Sequence, residues 1–176
     1  HRRLGDFTNE GVLGRSALFL ALLMFDQGRT EEAATYLARA RSVANRVGTG
    51  ALLTRVQVLD TYALLKTEQP TQAAAAAAHM LRRMRSSAAE GATEPPWHDH
   101  PEDAESPFNT MSNHVLWMQL LLLIALGEGG EVDRAALLAD DIVAAMAVRG
   151  DGLFLALARF YRAALNQRRT DLNMVD

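Results

Sequence analysis

Residues Ala17–Ala40 read ALFLALLMFDQGRTEEAATYLARA, and this stretch decides the fold. Its first half is apolar. Val12, Ala17, Leu20, Ala21 and Met24 share one face of a helix predicted over about 11–27. Gly28-Arg29-Thr30 interrupts it. Thr30 suits an N-cap, and Glu31 and Glu32 suit the first turn, where carboxylates meet the positive end of a helix. A second helix is expected over about 31–47. Its buried face is Ala33, Ala34, Leu37, Ala40, Ala44 and Val47, and Gly48 and Gly50 end it.

The same punctuation continues down the chain. A third helix is expected over about 51–67, broken by Glu68-Gln69-Pro70-Thr71. Pro70 falls near the first turn of a fourth helix, which carries six alanines at 73–78 and ends near Ser86-Ser87. Residues 89–107 hold four of the five prolines, six acidic residues and no Arg or Lys, and read as an irregular excursion. A fifth helix begins near Ser112 or Asn113 and runs to Leu126, with Gly127-Glu128-Gly129-Gly130 as its stop. The sixth spans about 132–148 and the seventh about 153–168, and the tail from Thr170 is expected to fray.

Composition agrees with this pattern. The 176 residues fit one domain, and 30 Ala and 26 Leu against 6% aromatics favour helix over a β-sandwich or barrel. There is no Cys, which excludes disulfides, thiolate nucleophiles and Cys-bound zinc. A net charge of −3 argues against a surface-wide nucleic-acid footprint. The longest apolar stretch, 115–126, is too short for a membrane span of about 20 residues. The N-terminus, HRRLGDF, lacks the apolar core of a signal peptide. It also lacks an initiator Met, so a piece of a longer, cytoplasmic chain is expected.

Turns at Gly28, near Pro70 and at Gly130 lie 42 and 60 residues apart, and the second interval is roughly 40 without the excursion. Such a period marks an array of helical hairpins, each burying its neighbour's apolar faces. The stretch 17–40, with its Gly28-Arg29-Thr30-Glu31-Glu32-Ala33 turn, resembles a tetratricopeptide repeat, and the resemblance places Ala21, Ala33 and Ala40 where two helices cross closely, with Leu37 between them. The second unit keeps Ala73 and Ala77, with Thr61 and Met80 at the other positions. The third keeps Ala135, with Leu123 and Ile142. The longer period is similar to the repeat regions of large bacterial transcription regulators and signalling ATPases.

The resemblance implies an all-α, right-handed superhelical stack of antiparallel helix pairs. Its units would span about 11–48, 51–88 and 112–149, with a final helix at 153–168. It also implies a concave groove on the first helix of each pair. Arg15, Leu18, Leu22, Phe25 and Asp26 would face it from the first unit; Arg55, Val58, Tyr62 and Lys66 from the second; Asn113, Trp117 and Leu120 from the third. Arg55, Tyr62 and Lys66 share one side of a helix and could clamp a carboxylate or phosphate beside an aromatic ring. Trp117 lies in a very apolar helix and suits the core better than the groove. Arg82, Arg83 and Arg85 suit a helix C-terminus or could meet the acidic excursion.

Catalytic patterns are weak. His98 and His100 could share a metal, with Asp99, Glu102, Asp103 or His114 completing it, but the spacing matches no structural zinc motif. Asp140-Asp141 lacks the third aspartate that paired-aspartate helical enzymes need. Gly48-Thr49-Gly50 lacks the third glycine of a dinucleotide fingerprint. The expectation is therefore a regulatory module rather than an enzyme, without a cofactor. It would bind a protein, a peptide or a small regulatory ligand, and neither membrane nor nucleic acid directly. The alternatives are a homo-oligomer, such as a homodimer, built on Leu153, Leu157 and Leu165, and a metal enzyme using His98 and His100.

Overall fold

The computed structural model describes residues 4–47, 50–89, 111–149 and 152–173. They form seven helices: α1 (Leu4–Asp26), α2 (Thr30–Val47), α3 (Gly50–Lys66), α4 (Pro70–Ala89), α5 (Met111–Glu128), α6 (Val132–Arg149) and α7 (Gly152–Asn173). Every expected helix is present. Two run further than the sequence reading allowed. α1 starts at Leu4 rather than near Gly11, and α7 continues to Asn173 rather than fraying. No Gly or Pro interrupts the end of α7, and the Thr170 hydroxyl donates to the Asn166 carbonyl at 3.0 Å.

The three hairpin turns are built alike. Gly28 N–H donates to the Phe25 carbonyl (3.1 Å) and Arg29 N–H to that of Met24 (2.8 Å). Glu68 and Gln69 repeat this with Leu65 (3.1 Å) and Leu64 (2.8 Å); Gly130 and Glu131 repeat it with Gly127 (3.4 Å) and Leu126 (2.8 Å). This pairing is the Schellman motif, which closes the open carbonyls of a helix end around one left-handed residue. Gly28, Glu68 and Gly130 have φ of 74°, 57° and 84°. The left-handed residue therefore recurs at intervals of 40 and 62, not 42 and 60. Pro70 is the first residue of α4, in the first turn as expected, and the turn before it centres on Glu68.

The helix starts also correspond. The carbonyls of Arg29, Gln69 and Glu131 accept from Ala33, Ala73 and Ala135 N–H, each at 3.0 Å. The cap before α2 is thus Arg29, one residue before the expected Thr30, which is already helical. Glu68 carries a side chain where the other two turns have glycine, and a left-handed L-residue costs about 1–2 kcal/mol. Glu68→Gly is expected to stabilise the protein by about 1 kcal/mol. Urea unfolding checks this, and an unchanged or lower midpoint contradicts it.

The helices form two layers. α1, α3, α5 and α7 touch in succession; α2, α4 and α6 touch the odd helices but not one another. The odd helices therefore line the tighter side of the stack. Four positions recur at the crossings and are buried in every pair: Ala21, Thr61 and Leu123; Ala33, Ala73 and Ala135; Leu37, Ala77 and Ala139; Ala40, Met80 and Ile142. The alanines carry no side chain beyond Cβ, so the two backbones approach closely there.

Each odd helix also has a face turned to the hairpin before it. On α3 this face carries Leu52, Val56 and Leu59, in one core cluster with α1 and α2. On α5, Met118 and Leu121 pack with Ala77, Met80 and Met84 of α4. On α7, Phe154, Ala158 and Leu165 pack with Ala139, Ile142 and Met146 of α6. The same register on α1 holds Val12, Ser16, Phe19 and Leu23, all exposed. Val12 and Leu20, expected to share one face with Ala17 and Ala21, are exposed while those two are buried, and Ala34, expected on the buried face of α2, is exposed. Residues 17–25 of α1 are apolar all round, so periodicity could not tell the two sides of that stretch apart.

Candidate functional site

Three of the expected groove residues meet near the first two turns. Asp26 closes α1, and Tyr62 and Lys66 lie one turn apart at the end of α3. The shared turn geometry sets both helix ends at the same level. The Tyr62 hydroxyl donates to Asp26 Oδ1 at 2.5 Å, and Lys66 Nζ stands 3.9 Å from the same oxygen. Lys66 also lies 5.1 Å from the Tyr62 ring centre, a cation–π distance, and Phe25 meets that ring edge-on at 6.2 Å. Burial, and then the Asp26 carboxylate, hold the Tyr62 phenol protonated well above its ordinary range. The stripe read as a carboxylate clamp thus already holds a carboxylate, that of Asp26.

The other expected residues are dispersed. Arg15 is exposed on α1. Arg55 is half-buried on α3, and its charge is felt by His114 of α5. Trp117 is half-buried and packs edge-on against Phe154 at 5.3 Å, as part of the core between α5 and α7. Asn113 belongs to α5, but its side chain lies outside the described residues. Leu18, Phe25 and Leu120, expected to face the groove, are buried, because successive odd helices close over them. His98, His100 and their acidic neighbours lie outside the described residues, as do Gly48 and Thr49.

His114 is the residue that sequence reasoning undervalued. It is 4% exposed, and its Nδ1 has no hydrogen-bond partner among the described residues. Burial, and then the Arg55 charge, lower its pKa to about 4. It occupies the register of Leu52 and Phe154, a seat that is hydrophobic in the neighbouring units. Comparing the units at their 40- and 62-residue offsets would have exposed this anomaly from sequence.

Two shallow pockets lie between helices. One of about 210 Å³ is bounded by Phe25, Leu37, Arg41 and Leu64, and one of about 260 Å³ by Gln57, Asp60, His79 and Arg83. An Arg41–Asp60 ion pair of 2.5 Å joins their rims. Of the expected groove residues, Phe25 alone borders either pocket. No group of three or more His, Asp or Glu among the described residues is placed to hold a metal ion. Asp140 and Asp141 are both exposed, and Asp140 pairs with Arg162 at 2.5 Å. No described helix is long and apolar enough to cross a membrane. Compared with known proteins, the chain matches no family model, no curated protein and no solved structure.

Proposed function

We propose that this chain is a tetratricopeptide-like interaction module, the regulatory part of a larger cytoplasmic bacterial transcription regulator. Its odd-helix layer recognises a partner through carboxylate groups. The observation that carries this reading is the Asp26–Tyr62–Lys66 cluster. Asp26 and Lys66 are partly exposed, so their ion pair is worth only about 0–1 kcal/mol and is readily exchanged. An incoming carboxylate, from an acidic peptide side chain or a chain terminus, takes the place of Asp26. It accepts the Tyr62 hydroxyl and pairs with Lys66, while Arg55 on the same helix extends the positive stripe. Asp26 then acts as an internal competitor that keeps the clamp filled when the partner is absent.

This competition has a distinctive signature. In a fluorescence-anisotropy screen of acidic peptides, Asp26→Asn is expected to tighten binding by about 3- to 10-fold, since removing a competing charge is worth about 1 kcal/mol. Arg55→Ala with Tyr62→Ala is expected to abolish it while the helical signal persists. Binding that ignores all three changes, or an array of acidic peptides that yields none, overturns the reading.

A further inference from the structure

The seam between neighbouring even helices occurs twice, and the two versions are built from different residues. Between α4 and α6 it is apolar. Leu81 lies in the core cluster that Leu122 packs against, and Leu122 and Leu138 both pack against the cluster of α5, α6 and α7. The offsets of 40 and 62 put Arg41, Asp60 and Ala76 in these three seats between α2 and α4. Arg41 and Asp60 pair with each other at 2.5 Å. Ala76 ends at its Cβ where the third unit has a leucine, and a pocket of about 260 Å³ stands open at that place, between α3 and α4.

We propose that this pocket binds a small carboxylic acid with a short apolar chain. Its lining has two unlike ends. α3 and α4 run antiparallel, so Gln57 and Arg83 lie at the end away from the turn, and Leu64 and Ala76 at the end near it. Arg83 is exposed and Gln57 half-buried, and neither side chain has an ion-pair or hydrogen-bond partner among the described residues. The Asp60 carboxylate is already matched by Arg41, which leaves the Arg83 charge uncompensated. A guanidinium meets a carboxylate through two parallel N–H donors, and the Gln57 amide adds a further donor. The chain of the acid then lies along Leu64 and Ala76, where it removes apolar surface from water. A volume of about 260 Å³ is below the about 300–1,000 Å³ of drug-sized sites, which suits a small acid and not a nucleotide. In the α4–α6 seam Ala145 stands at the Arg83 position, so that seam lacks both the cation and the space. The site does not rest on the Asp26–Tyr62–Lys66 clamp, because Asp60 and Tyr62 are two positions apart on α3 and face opposite sides of it.

Titration of the isotope-labelled chain with hexanoate, read by amide shifts, tests the proposal. Saturable shifts centred on Gln57, Asp60, Ala76 and Arg83 are expected. Acetate has the carboxylate without the chain, and it is expected to bind at least about 10-fold more weakly, as is inorganic phosphate. Arg83→Gln, at an exposed position, is expected to weaken hexanoate binding about 10-fold or more. Ala76→Leu puts into the pocket the side chain that the α4–α6 seam carries, and is expected to abolish binding while the melting temperature is kept or raised. No saturable shift with hexanoate overturns the proposal. So does equal binding of acetate or phosphate, because the apolar end would then contribute nothing. An Arg83→Gln or Ala76→Leu protein that binds as the wild type does overturns it too. Shifts centred instead on Asp26, Tyr62 and Lys66 would put the acid in the clamp, which refutes this site and leaves the clamp standing.

Discussion

Leu123→Ala is expected to lower the unfolding free energy by about 3 kcal/mol, and the melting temperature by about 6–12 °C. Leu123 is almost fully buried in the cluster that joins α5, α6 and α7. The substitution removes three carbons from a site whose neighbours, Ile142, Met146 and Phe154, are themselves fixed in close packing. A cavity therefore remains, and it adds to the lost transfer energy. The equivalent seats in the other units hold Thr61 and Ala21, both buried. The reverse change, Ala21→Leu, is expected to destabilise as well, by about 1–3 kcal/mol, because the α1–α2 crossing has closed around a methyl group. Opposite changes in volume at one repeated position thus act in the same direction. A Leu123→Ala protein with wild-type stability would mean that α5 does not pack as described.

Helix positions were legible in the sequence because the breakers are strong and the helices between them are long. Ala33, Leu37, Ala40, Ala73, Ala77 and Ala135 were placed at the crossings by the resemblance to a helical-hairpin repeat, and all are buried. The turns were less legible. Proline is the more conspicuous signal, yet the left-handed residue is Glu68, whose type gives no hint of positive φ. The faces of α1 and α5 were hardest to assign. Both helices are apolar on nearly every side, so their periodicity carries little information about which side meets which neighbour. Phe25 and Leu120 were misassigned to the groove for that reason.

The candidate site was half legible. A charged stripe on α3 follows from spacing, and Tyr62 and Lys66 do share one. That Asp26 would reach across to fill it depends on how the first hairpin leans on the second, a tertiary property with no local signature. The Arg55 and His114 relation is likewise invisible along the chain, because it joins α3 to α5 across 59 residues and the whole acidic excursion.

Stability is expected to fall as the pH drops from about 6.5 to about 4, by about 2–3 kcal/mol through His114 alone. The sign follows from where the proton binds. In the folded protein burial and the Arg55 charge hold the His114 pKa at about 4; in the unfolded chain it returns to the ordinary 6.5. Between those values the unfolded state binds a proton that the folded state refuses, so acid favours unfolding. Above pH 6.5 both states are neutral at this residue and the effect vanishes. His114→Leu places in α5 the residue type found at the equivalent position in α3, Leu52. It removes both the titration and the unpartnered Nδ1. The variant is expected to be more stable by about 1–2 kcal/mol at pH 7.5, the penalty of a buried unpaired polar atom. Its advantage should widen to about 3–5 kcal/mol at pH 4, measured by urea unfolding of the two proteins at matched ionic strength. Carboxylate titrations common to both proteins cancel in that difference. A gap independent of pH would show that His114 reaches solvent in the folded state, and that α3 and α5 are not sealed around it.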